Sequence, residues 1–143
     1  MKYDIVSVRS SRTPYKVSCP ADLFDVLKKY ANAKAERFLS ISLDGAHNVI
    51  HVNLITVGLV NRCLVHPREV FITAIKDRAT AVIVSHNHPS GCNSASPEDR
   101  ALTDRLRDAG DLLGIPVLDH LVISRTGYMS FVESGLLSPA VTD

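Results

Sequence analysis

The amino-acid sequence predicts one α/β domain in which a mixed β-sheet is flanked by helices. Apolar residues with helical spacing alternate along the chain with short runs rich in β-branched residues. The chain has 143 residues, 45% of them hydrophobic, which is enough to bury one core without disulfide bonds. We therefore expect a domain over residues 19–137, preceded by an extended lead-in at 1–18 and followed by a tail at 138–143.

The first half of the chain predicts a helix followed by a β-hairpin. Residues 1–17 favour an extended segment that can carry a short strand. Pro20 suits the first turn of a helix, and apolar residues then recur at intervals of three and four through to about Glu36. The turn signal Asp44-Gly45 separates an apolar run from the β-branched run 49–55, a pattern that predicts two paired strands.

The second half predicts two helices and three strands. The order is helix 68–79, strand 81–86, a helix from Ser96 to Gly114, strand 116–123 and strand 128–132. The run 81–86 is apolar and short, which is typical of a buried central strand. Small and turn-forming residues at 87–95 predict the loop that follows it.

Charge and composition narrow the classes of function. The 16 basic and 15 acidic side chains give a net charge of +1, which argues against tight nonspecific nucleic-acid binding but leaves a local basic patch open. The N-terminus lacks the apolar core of a secretion signal, and no apolar run is long enough to cross a membrane. Three scattered cysteines indicate free thiols. We expect a cytoplasmic protein.

His86, His88 and Asp99 form a candidate metal site. Side chains two apart on a strand point the same way, so the two histidines at the end of the central strand can face one point. Asp99 lies in the first turn of the next helix, on the side it shares with Leu102 and Leu106, and therefore faces inward. Two nitrogen ligands and one oxygen ligand are typical of catalytic rather than structural zinc.

A simpler interpretation needs no metal. Ser96-Pro97-Glu98-Asp99 is also an ordinary capping box, in which Asp99 favours the helix dipole. A His-x-His pair by itself is usually two partly exposed histidines. The joint arrangement, with histidines ending an apolar strand and an acid beginning the next helix, favours the metal site.

Several motifs together resemble the JAB/JAMM (MPN+) domain of the RadC family. The matching pieces are Glu36-Arg37-Phe38, Leu43-Asp44, Val65-His66-Pro67-Arg68-Glu69-Val70, His86-Asn87-His88-Pro89-Ser90-Gly91, Ser96-Pro97-Glu98-Asp99, Leu112-Leu113-Gly114-Ile115, Leu118-Asp119-His120 and Ser130-Phe131-Val132-Glu133. The resemblance implies a fold related to the cytidine deaminases. It also implies Zn²⁺ held by His86, His88 and Asp99.

The resemblance further implies a catalytic glutamate, carried by the helix before the first core strand, and Glu36 is the matching position. Glu69 is a rival, because it also lies in a matching motif. Ser96 matches a serine that helps to stabilise the oxyanion, a role that we expect to compete with helix capping for the one hydroxyl. His120 is expected to pack near the site rather than bind the metal.

Two departures from the family pattern bear on function. Cys92 stands where RadC-like sequences usually have an aspartate, and we expect an inert thiol there. Longer RadC proteins also carry an N-terminal helix-hairpin-helix region associated with DNA binding, and the chain is too short for one. We therefore expect a stand-alone form.

The resemblance implies a zinc-dependent metallohydrolase that cleaves peptide or isopeptide bonds, with a peptide or protein as substrate. One alternative is a DNA-repair or mobile-element accessory protein that acts by binding, with zinc mainly structural. Another is a zinc deaminase, which the absence of a Cys-x-x-Cys pair disfavours.

Overall fold

The computed structural model describes residues 5–6, 15–32, 34–58 and 65–138, which hold a mixture of helices and strands. The elements are β1 (Ile5–Val6), α1 (Pro20–Ala31), β2 (Glu36–Leu43), β3 (Val49–Gly58), α2 (Pro67–Lys76), β4 (Ala81–Asn87), α3 (Pro97–Leu113), β5 (Val117–Ser124) and β6 (Gly127–Ser130). The predicted hairpin is confirmed, since β2 and β3 pair antiparallel across the turn after Leu43.

The described strands form one six-stranded sheet in the order β1-β3-β2-β4-β5-β6. β4 and β5 are parallel, whereas the other neighbours pair antiparallel. Parallel neighbours need a crossover connection, and α3 supplies it between β4 and β5. The mixed sheet flanked by helices is therefore confirmed, with β4 between β2 and β5.

Each face of the sheet packs against its own helices. Leu23 and Leu27 of α1 share one buried cluster with Ile41 and Ile83. On the other face, α2 and α3 enclose a second cluster, whose members include Phe38, Val70, Phe71, Val82, Val84, Leu102 and Leu106. Because side chains alternate along a strand, β2 and β4 contribute to both clusters. His86 belongs by this alternation to the face covered by α2 and α3.

The prediction that the first helix continues to about Glu36 was wrong. α1 ends at Ala31, with Asn32 as its C-cap, and Glu36 is the first residue of β2. β2 pairs with β3 on one side and β4 on the other. The ladder with β3 covers 36–43 and the ladder with β4 covers 38–43, and this pairing outweighs the local helical spacing that the alanines before Glu36 suggested.

Smaller boundaries also differ from the predictions. α2 ends at Lys76 rather than Ala79, and β6 spans Gly127–Ser130 rather than 128–132. α3 ends as predicted at Gly114, which adopts the left-handed conformation with φ 72°. Much of the predicted lead-in, the tail beyond residue 138 and Cys63 lie outside the described residues.

Candidate metal centre

The two predicted histidines meet at the end of β4. His86 is 1% exposed, within the strand, and His88 follows the last strand residue. Their Nε2 atoms lie 2.8 Å apart, and their ring centroids are separated by 4.6 Å. The structure therefore brings both imidazoles to one point, as the two-residue spacing predicts.

Asp99 brings a carboxylate to the same point. It is the third residue of α3 and is 1% exposed. Its Oδ1 lies 3.4 Å from Nε2 of His86, and its Oδ2 lies 3.7 Å from Nε2 of His88. The three predicted ligand residues thus converge from β4, the residue after it and the first turn of α3.

The capping box is present as well. Ser96 Oγ accepts a hydrogen bond from Asp99 N at 3.1 Å, and Asp99 Oδ2 accepts one from Ser96 N at 2.9 Å. The same contact that caps α3 orients the Asp99 carboxylate toward the histidines. Capping and convergence are therefore compatible in this structure, although the sequence offered them as alternatives.

The spacing of the donor atoms fits a tetrahedral zinc ion. Zn–N and Zn–O bonds of about 2.0–2.1 Å place tetrahedral ligand atoms roughly 3.3 Å apart. The three separations here are 2.8, 3.4 and 3.7 Å, on either side of that value. Two imidazole nitrogens and a carboxylate oxygen are also a donor set that zinc accepts, so His86, His88 and Asp99 fit the metal that the resemblance implies.

Charges around the site favour a cation. Burial alone would raise the pKa of Asp99, but its close contacts with His86 and His88 outweigh burial and hold that pKa below its ordinary value. The pKa of His88 is raised, chiefly by its hydrogen bond with Asp99. The backbone carbonyl of Cys92 accepts from Nδ1 of His88 at 2.9 Å, which leaves Nε2 directed at the site.

Glu36 lies beside the same two histidines. Its carboxylate and the imidazole nitrogens of His86 and His88 offer ligand atoms that all lie within 4.8 Å of one another. Glu36 is half-buried, at the start of β2. The rival Glu69 lies in the first turn of α2, with its Oε1 3.8 Å from Nε of Arg68. A strand rather than the predicted helix therefore brings Glu36 to the site.

Ser96 stands at the rim of this group as the half-buried N-cap of α3. Its capping bond uses a lone pair of Oγ, whereas stabilising an oxyanion would use the hydroxyl proton. The expected competition between the two roles therefore does not arise, because one hydroxyl can accept and donate at once.

Cys92 is exposed, and its Sγ lies 2.9 Å from Ser94 Oγ. The hydrogen bond with Ser94 is the main cause that lowers the pKa of this thiol. The backbone carbonyl of Cys92 contacts His88, so this position contributes to the site through its main chain. An aspartate at this position could form the same contact.

Two buried polar residues near the site were not assigned to the metal centre from the sequence. His120 is 0% exposed, and its Nε2 lies 2.7 Å from Nδ1 of His86. Asn87 is 1% exposed and binds backbone groups on either side of Glu36. The matching motifs contain both residues, but spacing along one sequence gives no signal for contacts between β4 and β2 or β5.

Among the described residues, no helix is long and apolar enough to cross a membrane. A family model of the RadC-like JAB domain matches residues 17–136. The UPF0758 protein of Thermotoga maritima is 44% identical over 126 residues, which cover 88% of the chain and 57% of that relative. UPF0758 protein STH371 of Symbiobacterium thermophilum is 44% identical over 137 residues, or 93% of the chain and 58% of the relative. The chain thus spans little more than half the length of these relatives.

Proposed function

Because the chain belongs to the RadC-like JAB domain family, we propose that it is a zinc-dependent metallohydrolase of the JAMM type, acting on peptide or isopeptide bonds. The observation that carries this proposal is the convergence of His86, His88 and Asp99, with the Glu36 carboxylate beside the two histidines. Three protein ligands of this kind are typical of catalytic zinc, which keeps a coordination position for water or substrate.

The three proposed ligand residues differ in burial and in charge. His86 and Asp99 are almost fully buried and fix the inner wall of the site, whereas His88 lies nearer its opening. The lowered pKa of Asp99 keeps its carboxylate ionised at neutral pH. Bound Zn²⁺ would supply Lewis acidity, which acidifies water and polarises a carbonyl group.

Glu36 is the proposed general base and acid. Its half-buried carboxylate stands within 4.8 Å of the histidine nitrogens, a distance that suits proton transfer to and from a group held between them. In the proposed reaction, Glu36 accepts a proton from the attacking water and returns it to the leaving amine. The Ser96 hydroxyl would donate a hydrogen bond to the oxyanion that forms from the substrate carbonyl.

The test is to compare His88→Ala, Glu36→Gln and the matched control Glu69→Gln with the unaltered protein. Zinc content is measured by elemental analysis, and hydrolysis is measured on fluorogenic peptides and on an isopeptide-linked pair. His88→Ala should lose zinc. Glu36→Gln should keep zinc and lose about 10²–10⁴-fold in rate, the usual contribution of general acid–base catalysis. Glu69→Gln should keep both.

Two outcomes would count against the proposal. Full activity of Glu36→Gln would remove the assigned base. A protein that binds zinc stoichiometrically but cleaves none of the substrates would favour the accessory-protein alternative, in which zinc stabilises a binding domain.

A further inference from the structure

We propose that His120 and Thr103 are positioning residues that set the tautomer of His86, so that its Nε2 carries a lone pair toward the metal. This inference rests on the proposed function only for the identity of the site. The residues form a continuous buried chain of contacts from Asp99 on α3, through β5, to His86 on β4.

The direction of the hydrogen bonds is fixed at Thr103. Its Oγ1 lies 2.6 Å from the backbone carbonyl of Asp99, which can only accept, so the hydroxyl proton is donated there. The same Oγ1 lies 2.6 Å from Nδ1 of His120. Since the hydroxyl has one proton and has already donated it, Nδ1 of His120 must carry a proton and donate to Thr103.

The same reasoning gives the direction of the hydrogen bond between His120 and His86. The His120 ring is fully buried, stacked on Phe131 with centroids 4.6 Å apart and edge-on to Phe38 at 5.9 Å. In a neutral imidazole whose proton is on Nδ1, Nε2 holds the lone pair and accepts. That nitrogen is 2.7 Å from Nδ1 of His86, which therefore donates.

His86 is left with its proton on Nδ1 and a lone pair on Nε2. This Nε2 is the atom that faces His88 at 2.8 Å and Asp99 at 3.4 Å. The opposite tautomer would place a proton at the metal position and prevent ligation. A hydrogen bond at the second ring nitrogen is what decides the tautomer of a metal-binding histidine.

The chain of contacts also ties two ligands to each other. Thr103 is one helical turn after Asp99, and it binds the main-chain carbonyl of that ligand. The register of α3 against β5 therefore determines both where the Asp99 carboxylate lies and which nitrogen of His86 is available. The sheet and the helix must be docked correctly before the site accepts metal.

The test compares Thr103→Val with Thr103→Ser. Valine keeps the side-chain volume but removes the hydroxyl group, whereas serine keeps the hydroxyl group. We expect the zinc dissociation constant to rise about 10–100-fold in Thr103→Val, the usual effect of removing such an outer partner, and to change little in Thr103→Ser. Melting temperatures of both zinc-free variants show whether a loss of affinity reflects misfolding.

Nitrogen NMR of the zinc-free protein gives a readout that is independent of activity. At alkaline pH, where the imidazoles are neutral, Nδ1 of His86 should show the shift of a protonated nitrogen and Nε2 that of an unprotonated one. In Thr103→Val, the two nitrogens of His86 should show chemical shifts between the protonated and unprotonated values. Thr103→Ser should keep the shifts of the unaltered protein. The inference is overturned if His86 of the unaltered protein carries its proton on Nε2, or if Thr103→Val binds zinc as tightly as the unaltered protein.

Failure of this inference is distinguishable from failure of the proposed function. The tautomer is measured without metal or substrate, so a protein that hydrolyses nothing still tests it. Conversely, full hydrolytic activity of the Glu36→Gln variant would contradict the proposed base and would leave the inference about the His86 tautomer unaffected.

Discussion

The side-chain carbonyl of Asn87 accepts a hydrogen bond from the backbone N–H of Arg37 at 2.6 Å, although the two residues are 50 positions apart. The amide nitrogen of Asn87 donates to the backbone carbonyl of Ala35 at 3.1 Å. The two bonds bracket Glu36, so the amide at the end of β4 fixes the main chain that carries the proposed base.

We expect Asn87→Ala to slow hydrolysis more than it weakens zinc binding. The substitution leaves two partly buried backbone groups without this partner, at a cost of about 1–3 kcal/mol in the free energy of unfolding. Because His86, His88 and Asp99 are untouched, zinc content should stay near one per chain. The measurements are zinc stoichiometry, chemical denaturation and peptide hydrolysis.

Asn93→Ala is the matched control for Asn87, since the Asn93 side chain bonds with Ser124 at the end of β5 and with Thr126 in the turn after it. It should lose stability while keeping the hydrolysis rate. Equal hydrolysis rates in Asn87→Ala and the unaltered protein would show that the two hydrogen bonds of Asn87 do not position Glu36.

Ser96 offers a second prediction, in which capping and catalysis separate. Ser96→Gly should cost only a few tenths of a kcal/mol in helix capping, because glycine is tolerated at the N-cap. If the hydroxyl stabilises the oxyanion, the same change should lower kcat by about 10²–10³-fold. Ser96→Thr keeps the hydroxyl and should keep most of the activity. A Ser96→Gly protein with unchanged kcat would assign the residue to capping alone.

We expect a side chain at position 110 to disturb packing, although helix propensity alone would favour replacing Gly110. A Cβ there would lie 2.5 Å from the backbone oxygen of Ile115 and 3.2 Å from Phe71 Cζ. Alanine in place of a mid-helix glycine normally gains up to about 1 kcal/mol, but overpacking against backbone costs roughly 1–3 kcal/mol. We expect Gly110→Ala to lower the melting temperature. In the control Gly45→Ala, a Cβ meets nothing within 4 Å, and the melting temperature should hardly change.

The buried carboxyl of Asp119 should make the stability of the fold depend on pH. Burial raises the pKa of this carboxyl, against opposing hydrogen bonds from Ser130, Val132 N and His120 N. Its pKa is thus higher in the folded than in the unfolded protein. The contribution of Asp119 to stability is complete below the unfolded pKa of about 3.9 and is lost as pH rises through the folded pKa.

The measurement for Asp119 is urea unfolding at a series of pH values, for the unaltered protein and Asp119→Asn. The difference in unfolding free energy between them should shift against the unaltered protein as pH rises from about 3.9 toward neutrality. Other titrating groups cancel in this difference. A difference that is constant, or that moves the opposite way, would contradict the raised pKa.

The sequence alone determined the elements whose signals are local. Pro20, Pro67 and Pro97 mark the first turns of the three described helices, and Gly114 marks the end of the third. The pairing of His86 with His88 followed from strand alternation, and the inward position of Asp99 followed from helical spacing. Each of these inferences needs only the geometry of one element.

Tertiary structure decided what depends on pairing between elements. Glu36 belongs to a strand because it pairs with Gly58 of β3 and the residues after it, from Phe38 on, pair with β4 as well. The helical spacing before Glu36 could not reveal this pairing. Asn87 reaches β2 and His120 reaches His86 across neighbouring strands of the sheet. Hydrogen bonds between residues 34 and 50 positions apart arise from strand order and register, which one sequence does not encode in any local spacing.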